Sequence, residues 1–168
     1  MQLTGERCIV RPWRLSDAKP IAAQANNTRV ARQLRDRFPH PYTVGDARTF
    51  IESVTDVHPV TTFAIDVAGE PVGGIGFSPG TDVERYSAEI GYWIGEQYWG
   101  RGIVAEAVRL VSEYAFQDCG LLRLYALPFA DNEQSMWCWK RPGTRRKRSC
   151  GRAASSSASP EIRPCTHS

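Results

Sequence analysis

Between residues 97 and 102 the chain reads Gln97-Tyr98-Trp99-Gly100-Arg101-Gly102. Two glycines flank one arginine, just after a β-rich segment and just before an apolar-periodic one. A tight strand-to-helix turn of this kind leaves the first N–H groups of the helix without acceptors. The aligned peptide dipoles add positive potential at the same place. Phosphate oxygens suit such a terminus, and Arg101 adds a charge. Spacing alone is equally met by a plain tight turn that needs glycine only for shape, because a bare GxG is a weak pattern. A carboxylate, Glu89, stands in the segment that leads into this turn.

The surrounding elements must position these groups. Residues 7–13 read as a first strand closed by Pro12, followed by Ser16 and Asp17 as N-cap residues. Residues 21–26 read as a short helix, and 30–38 as a second stretch with Val30, Leu34 and Phe38 in helical register. Pro39-His40-Pro41 breaks it. Thr43 or Asp46 caps a helix to about Val54. Residues 62–67 and 71–77 form a hairpin about Ala68-Gly69-Glu70. Gly73, Gly74 and Gly76 weaken its second strand but permit a bulge or close approach. Residues 88–94 form the next strand, with Ala88, Ile90, Tyr92 and Ile94 on one face and Glu89, Gly91 and Trp93 on the other. Residues 103–117 are helical, with Val104, Val108, Val111 and Ala115 in one stripe and Gly120 as C-cap. Residues 121–127 form a strand, and Asp131 or Asn132 caps a further helix. Strand, turn, helix and strand in this order make a parallel crossover. The class is α+β, of an α/β-like kind, with a mixed sheet.

Several of these segments carry a resemblance. The loop 97–102 is similar to the acetyl-CoA loop of the GNAT superfamily. Ala88-Glu89-Ile90-Gly91-Tyr92-Trp93-Ile94, Ala105-Glu106-Ala107, Tyr114-Ala115-Phe116 and Asn132-Glu133-Gln134-Ser135 resemble its Rim-type branch, which includes ribosomal-protein N-terminal acetyltransferases. Val10-Arg11-Pro12 and Pro41-Tyr42-Thr43 resemble it too. The likeness covers roughly residues 5–136.

The resemblance implies a mixed, mostly antiparallel sheet with a splayed central parallel pair, flanked by helices. It implies acetyl-CoA as cosubstrate and no metal. Gln97, Trp99, Gly100, Arg101, Gly102 and Ile103 would form the pyrophosphate loop, with Trp93 and Ile94 pairing with the pantetheine arm. Asn132 would also contact the cofactor. Glu89 is the candidate base, acting directly or through water, and Ser135 the second catalytic candidate, near the sulfur. The other readings of these side chains are a solvated strand carboxylate for Glu89 and helix caps for Asn132 and Ser135. The reaction implied is direct transfer of acetyl to a primary amine, on a protein N-terminus or a small molecule. A homodimer is compatible with this reading.

Composition agrees with a soluble domain: 42% apolar and 23% charged residues. With no long apolar run and no signal-like start, a cytoplasmic protein without membrane partners is expected. The net charge of +3 is unevenly spread. Residues 137–168 hold eight of the 21 Lys and Arg and one acid, Glu161, so the body is mildly acidic and no nucleic-acid partner is expected. Five cysteines without CxxC spacing suggest free thiols.

The domain is read as 1–136 and C-terminally incomplete, with 137–168 a disordered basic tail. After Ser135 the family continues with a helix of the type V-L-E-K-x-G-F/Y, whereas this chain reads Met136-Trp137-Cys138-Trp139-Lys140-Arg141-Pro142-Gly143. Restoring one base after the Trp137 codon forces Leu and then Glu from the codons of Cys138, Trp139 and Lys140. The adjoining codons permit the rest of the motif. The tail is therefore read as out-of-frame translation. Coding DNA whose codons exclude that frame would overturn this. Without the family's final strands, the strand after Gly120 would expose an edge. An acyl-CoA-binding protein without catalysis is the alternative reading. A nucleic-acid binder using Arg145-Arg146-Lys147-Arg148 is a remote one.

Overall fold

The computed structural model describes residues 1–32, 34 and 38–126, and the backbone of 161 and 162. Its strands are β1 (Leu3–Thr4), β2 (Ile9–Pro12), β3 (Thr62–Val67), β4 (Glu70–Pro79), β5 (Ser87–Ile94), β6 (Arg123–Tyr125) and β7 (Glu161–Ile162). They form one sheet in chain order, antiparallel except for the β5–β6 pair. The helices are α1 (Ala18–Ala25), α2 (Thr28–Ala31), α3 (Val44–Thr55) and α4 (Ile103–Gln117).

Alternation along the strands splits the core between two faces. On one face Val10, Ile65, Val72, Ile75, Ala88, Ile90 and Ile94 meet the apolar side of α4, including Ile103, Ala107, Val111 and Ala115. On the other, Trp13 and Ala64 meet Ile21, Ala22 and Ala25 of α1 and Ala47 and Ile51 of α3. Both sets exclude water, which supplies most of the stabilisation. The glycines of β4 permit close approach: a Cβ on Gly74 would stand 3.0 Å from Trp93 Nε1 and 3.1 Å from Trp13 Cζ2.

Helix α3 starts as its sequence demands. Thr43 Oγ1 accepts from Asp46 N (3.2 Å) and Asp46 Oδ2 accepts from Thr43 N (2.8 Å), a reciprocal capping box. Asp17 departs from its expected role. It makes no side-chain cap on α1. Its carboxylate accepts from Arg14 N (2.9 Å) and from the Arg11 guanidinium (2.7 and 3.0 Å), and its backbone is already helical (φ −74°, ψ −16°) rather than extended as an N-cap's is. Arg11 Nε also donates to Asp66 Oδ2 (2.8 Å), and Asp66 Oδ1 accepts from Gly69 N (2.8 Å), closing the β3–β4 turn. Arg11, Asp17 and Asp66 are each about 95% buried. The two carboxylates hold the Arg11 guanidinium above its usual range.

Four further expectations change. Of the stretch 30–38, Val30 and Ala31 fall at the end of the four-residue α2, which starts earlier at Thr28, and β1 appears where no strand was expected. Gly120, in the left-handed region, closes the end of α4 with Leu121 N bonded to Ala115 O (3.1 Å), although the helix itself ends at Gln117. The outer edge of β6 is not bare: Leu124 pairs with Ile162 and Tyr125 with Glu161. The residues read as a tail thus return two positions to the sheet. The rest of the reading for 127–168, including the altered frame and the expected helix after Asn132, lies outside the described residues. Cys8 and Cys119 carry free thiols. No described helix is long and apolar enough to cross a membrane.

Candidate active site

The parallel pair is short. Ser87, Ala88 and Glu89 lie beside Arg123, Leu124 and Tyr125. Strand β5 then runs on to Ile94 against β4 alone among the described residues. Its register settles which backbone groups face the opening. Gly80 N donates to Ser87 O (2.8 Å) and Gly95 N to Val72 O (2.8 Å). Antiparallel alternation then turns the N–H and C=O of 87, 89, 91, 93 and 95 toward β4. Those of Ala88, Ile90, Tyr92 and Ile94 turn toward β6.

This alters one expectation. The Trp93 peptide is directed at Gly74 and does not line the opening. Its indole packs in T-shaped contact with Phe38, at a centroid distance of 5.6 Å. Ile94 does face the opening, and its carbonyl accepts from Trp99 Nε1 (2.9 Å). Trp99 therefore ties the turn before α4 to the end of β5.

Glu89 occupies the last parallel rung among the described residues, opposite Tyr125. It shares a face with Gly91 and Trp93. A Cβ added to Gly91 would meet nothing within 4 Å among the described residues.

The turn after β5 is built from three parts. A 3-10 turn at Glu96–Tyr98 is closed by Tyr98 N to Gly95 O (3.0 Å) and Trp99 N to Glu96 O (3.1 Å). Gly100 and Gly102 follow at φ +72° and +74°, a conformation that favours glycine. Gly102 then serves as N-cap of α4 without any side chain to satisfy the helix. The first α4 bond is Glu106 N to Gly102 O (3.2 Å). The N–H groups of Ile103, Val104 and Ala105 thus have no intrahelical acceptor. Ile103 buries its side chain in the core, so its contribution is its peptide N–H. Arg101 is exposed and lies over the Tyr98 ring, 5.4 Å from its centroid.

Gln97 is turned elsewhere. Its amide donates to Gln24 Oε1 on α1 (3.3 Å). Glu96 accepts from Asn27 Nδ2 (2.8 Å) and pairs with Arg29. These contacts fasten the loop to α1 and α2, and sequence reading did not anticipate them. Asn132 and Ser135 lie outside the described residues.

Glu106 was also missed as a site residue. It is about 93% buried on α4. Its carboxylate accepts from the backbone N–H groups of Glu6 (3.1 Å), Arg7 (2.7 Å) and Cys8 (3.1 Å). Burial alone would raise its pKa; the three N–H donors outweigh that and hold it below the usual 4.5. Burial and the nearby Glu106 charge push the Cys8 thiol up to about 12, so Cys8 is an inert core group. The available signal was an acid flanked by Ile103, Ala107 and Leu110 on the buried arc of an amphipathic helix.

A peptide cradle without side chains, at a helix terminus and beside an opened strand, fits a pyrophosphate with an extended arm. Comparison with known proteins agrees. The model of the acetyltransferase (GNAT) domain matches residues 7–145. The chain belongs to the GNAT acetyltransferase family. The GNAT match extends past the expected boundary at 136. The N-acetyltransferase p20 of Bacillus licheniformis, itself uncharacterised, is 31% identical over 137 residues, covering 78% of this chain and 75% of that protein. RimJ of Mycobacterium smegmatis, solved in complex with CoA-disulfide, superimposes at a TM-score of 0.76 with 21% identity, covering 88% of this chain and 77% of that one. A ribosomal-protein-S5-alanine acetyltransferase from Vibrio fischeri gives a TM-score of 0.71 at 21% identity, covering 88% and 87%. GNAT acetyltransferases use acetyl-CoA, and this chain is an acetyl-CoA-dependent N-acetyltransferase by family.

Proposed function

We propose that the acceptor is a primary amine, that of a protein N-terminus, and that Glu89 is the base. The observation that supports this is the position of Glu89: it stands at the last parallel rung of β5 and β6 among the described residues, on the same strand face as Gly91. Acetyl-CoA supplies the thioester. Glu89 takes the proton of the attacking ammonium, directly or through one water. A C–N bond then forms as the C–S bond breaks, the surplus proton left on the new amide nitrogen passes to the sulfur, and coenzyme A leaves as the thiol. Backbone N–H groups of β5 that face the opening are placed to stabilise charge developing on the carbonyl oxygen. The N–H groups of Gly102, Ile103, Val104 and Ala105 hold the pyrophosphate. A protein N-terminus is favoured over a small amine by the two structural neighbours named above, one RimJ and one an S5-alanine acetyltransferase.

The test is acetyl transfer to an alanine-starting peptide, followed by mass spectrometry and thiol release. Glu89→Gln is expected to lower kcat/KM by about 10²- to 10³-fold, the scale of a lost general base. Its affinity for coenzyme A should be unchanged. A variant as fast as the parent would remove Glu89 from the mechanism. Transfer to small amines but to no peptide would reassign the acceptor. Tight cofactor binding with no transfer to any amine would favour a non-catalytic acyl-CoA-binding protein.

A further inference from the structure

The Arg7 peptide is held while its guanidinium is not. Glu106 pins three consecutive peptides, 6 to 8, against the first turn of α4. That clasp determines where the Arg7 side chain goes. Its Cδ and Nε lie 3.8 Å, and its Cζ 4.0 Å, from the point that a Cβ on Gly102 would occupy. Among the described residues other than its two chain neighbours, Arg7 supplies the three atoms nearest to that point, and the missing Cβ leaves room beside the guanidinium. Arg7 is exposed and makes no ion pair among the described residues. The nearby acid, Glu106, is already occupied by its three N–H donors.

We propose that Arg7 is a phosphate-binding residue of the coenzyme site, its guanidinium engaging phosphate oxygens held at the first turn of α4. This rests on the acetyl-CoA reading given above. The planar guanidinium fork matches phosphate geometry. Its charge adds to the field of the helix terminus at the residue where that field is strongest. Arg7 lies outside the loop 97–102, nearly a hundred residues earlier in the chain. Glu106 is the positioning residue that brings it there.

Calorimetric titration of the full chain with coenzyme A and with dephospho-coenzyme A tests this. Arg7→Gln keeps the backbone clasp, so its melting temperature should match the parent. Its dissociation constant for coenzyme A should rise roughly tenfold, the scale of one charged hydrogen-bonding partner. Added salt should weaken binding less in the variant than in the parent. Arg7→Lys should recover part of the loss. If the tenfold loss persists with dephospho-coenzyme A, the contact is to the pyrophosphate. If it disappears, the contact is to the 3′-phosphate. Either result supports the proposal. Equal affinity of parent and Arg7→Gln for coenzyme A would overturn it and leave the family reading intact. A folded parent that binds no coenzyme A would overturn both.

Discussion

Replacing Arg11 with methionine is expected to lower the free energy of unfolding by about 3–5 kcal/mol, read by urea or thermal denaturation. Methionine replaces the apolar stem but not the guanidinium, so lost packing is the smaller part of the effect. The larger part comes from what remains. Asp17 and Asp66, each about 95% buried, lose their shared counter-ion and its bonds of 2.7 to 3.0 Å. Total stability of a domain this size is about 5–15 kcal/mol, so the variant should melt far below the parent. The triad couples the end of β2 to the turn before α1 and to the β3–β4 hairpin. Both carboxylates also accept a backbone N–H, from Arg14 and Gly69. Arg11→Lys should be intermediate, because a single ammonium cannot meet two carboxylates with the arginine fork. Adding Asp17→Asn and Asp66→Asn to Arg11→Met should restore part of the loss. A triple variant no better than the single one would show that the charges are not the cause.

The second large effect concerns Glu106. Glu106→Ala should cost about 2–4 kcal/mol, since it strips three N–H groups of their acceptor, one of them buried at Cys8. Glu106→Gln keeps the volume and removes the charge, and should lie between. The same group fixes a pH dependence. Its pKa is lowered by folding, so the unfolded chain binds more protons in the acid range. The stabilisation is complete above the ordinary carboxylate range near 4.5. It is lost as pH falls through the folded value. The stability difference between parent and Glu106→Gln should therefore be constant at neutral pH and shrink below about pH 4.5. A difference that stays flat to pH 3 would mean that the carboxylate's charge contributes nothing.

The sequence made the local parts of this molecule readable. Helix α4 was legible because Gly102 stops the strand side and an apolar stripe starts at once, and the structure begins it at Ile103 and ends it at Gln117. The β3–β4 hairpin and β5 were legible from alternation, and the tight turn into α4 from its glycines. What escaped depends on partners far away in the chain. Arg11 looked like a residue in a strand, since nothing near it announces Asp66. Glu106 was noted only within the family-like stretch Ala105-Glu106-Ala107, since its acceptor role depends on three peptides about a hundred positions earlier. The direction of the Trp93 peptide depends on which rungs of β4 and β5 exchange hydrogen bonds, and side-chain alternation carries no information on that. Gln97 was assigned to the loop by resemblance, but Gln24 on α1 takes its amide. The edge of β6 was misjudged because two paired residues, 161 and 162, lie within a stretch whose composition gives no strand signal.

The clasp at Glu106 also orders the birth of the protein. Strands β1 to β5 follow one another in the sheet as they do in the chain, so a growing polypeptide can assemble them as they emerge. The bonds from Glu106 to Glu6, Arg7 and Cys8 span 98 to 100 residues. They cannot form before α4 has been made. Until then the first turn of the chain has no acceptor for its peptides and the phosphate cradle has no helix behind it. The turn proposed to hold the coenzyme is thus among the last parts of the described fold to be completed during synthesis. Chains halted before residue 106 should be able to build most of the sheet but not to bind coenzyme.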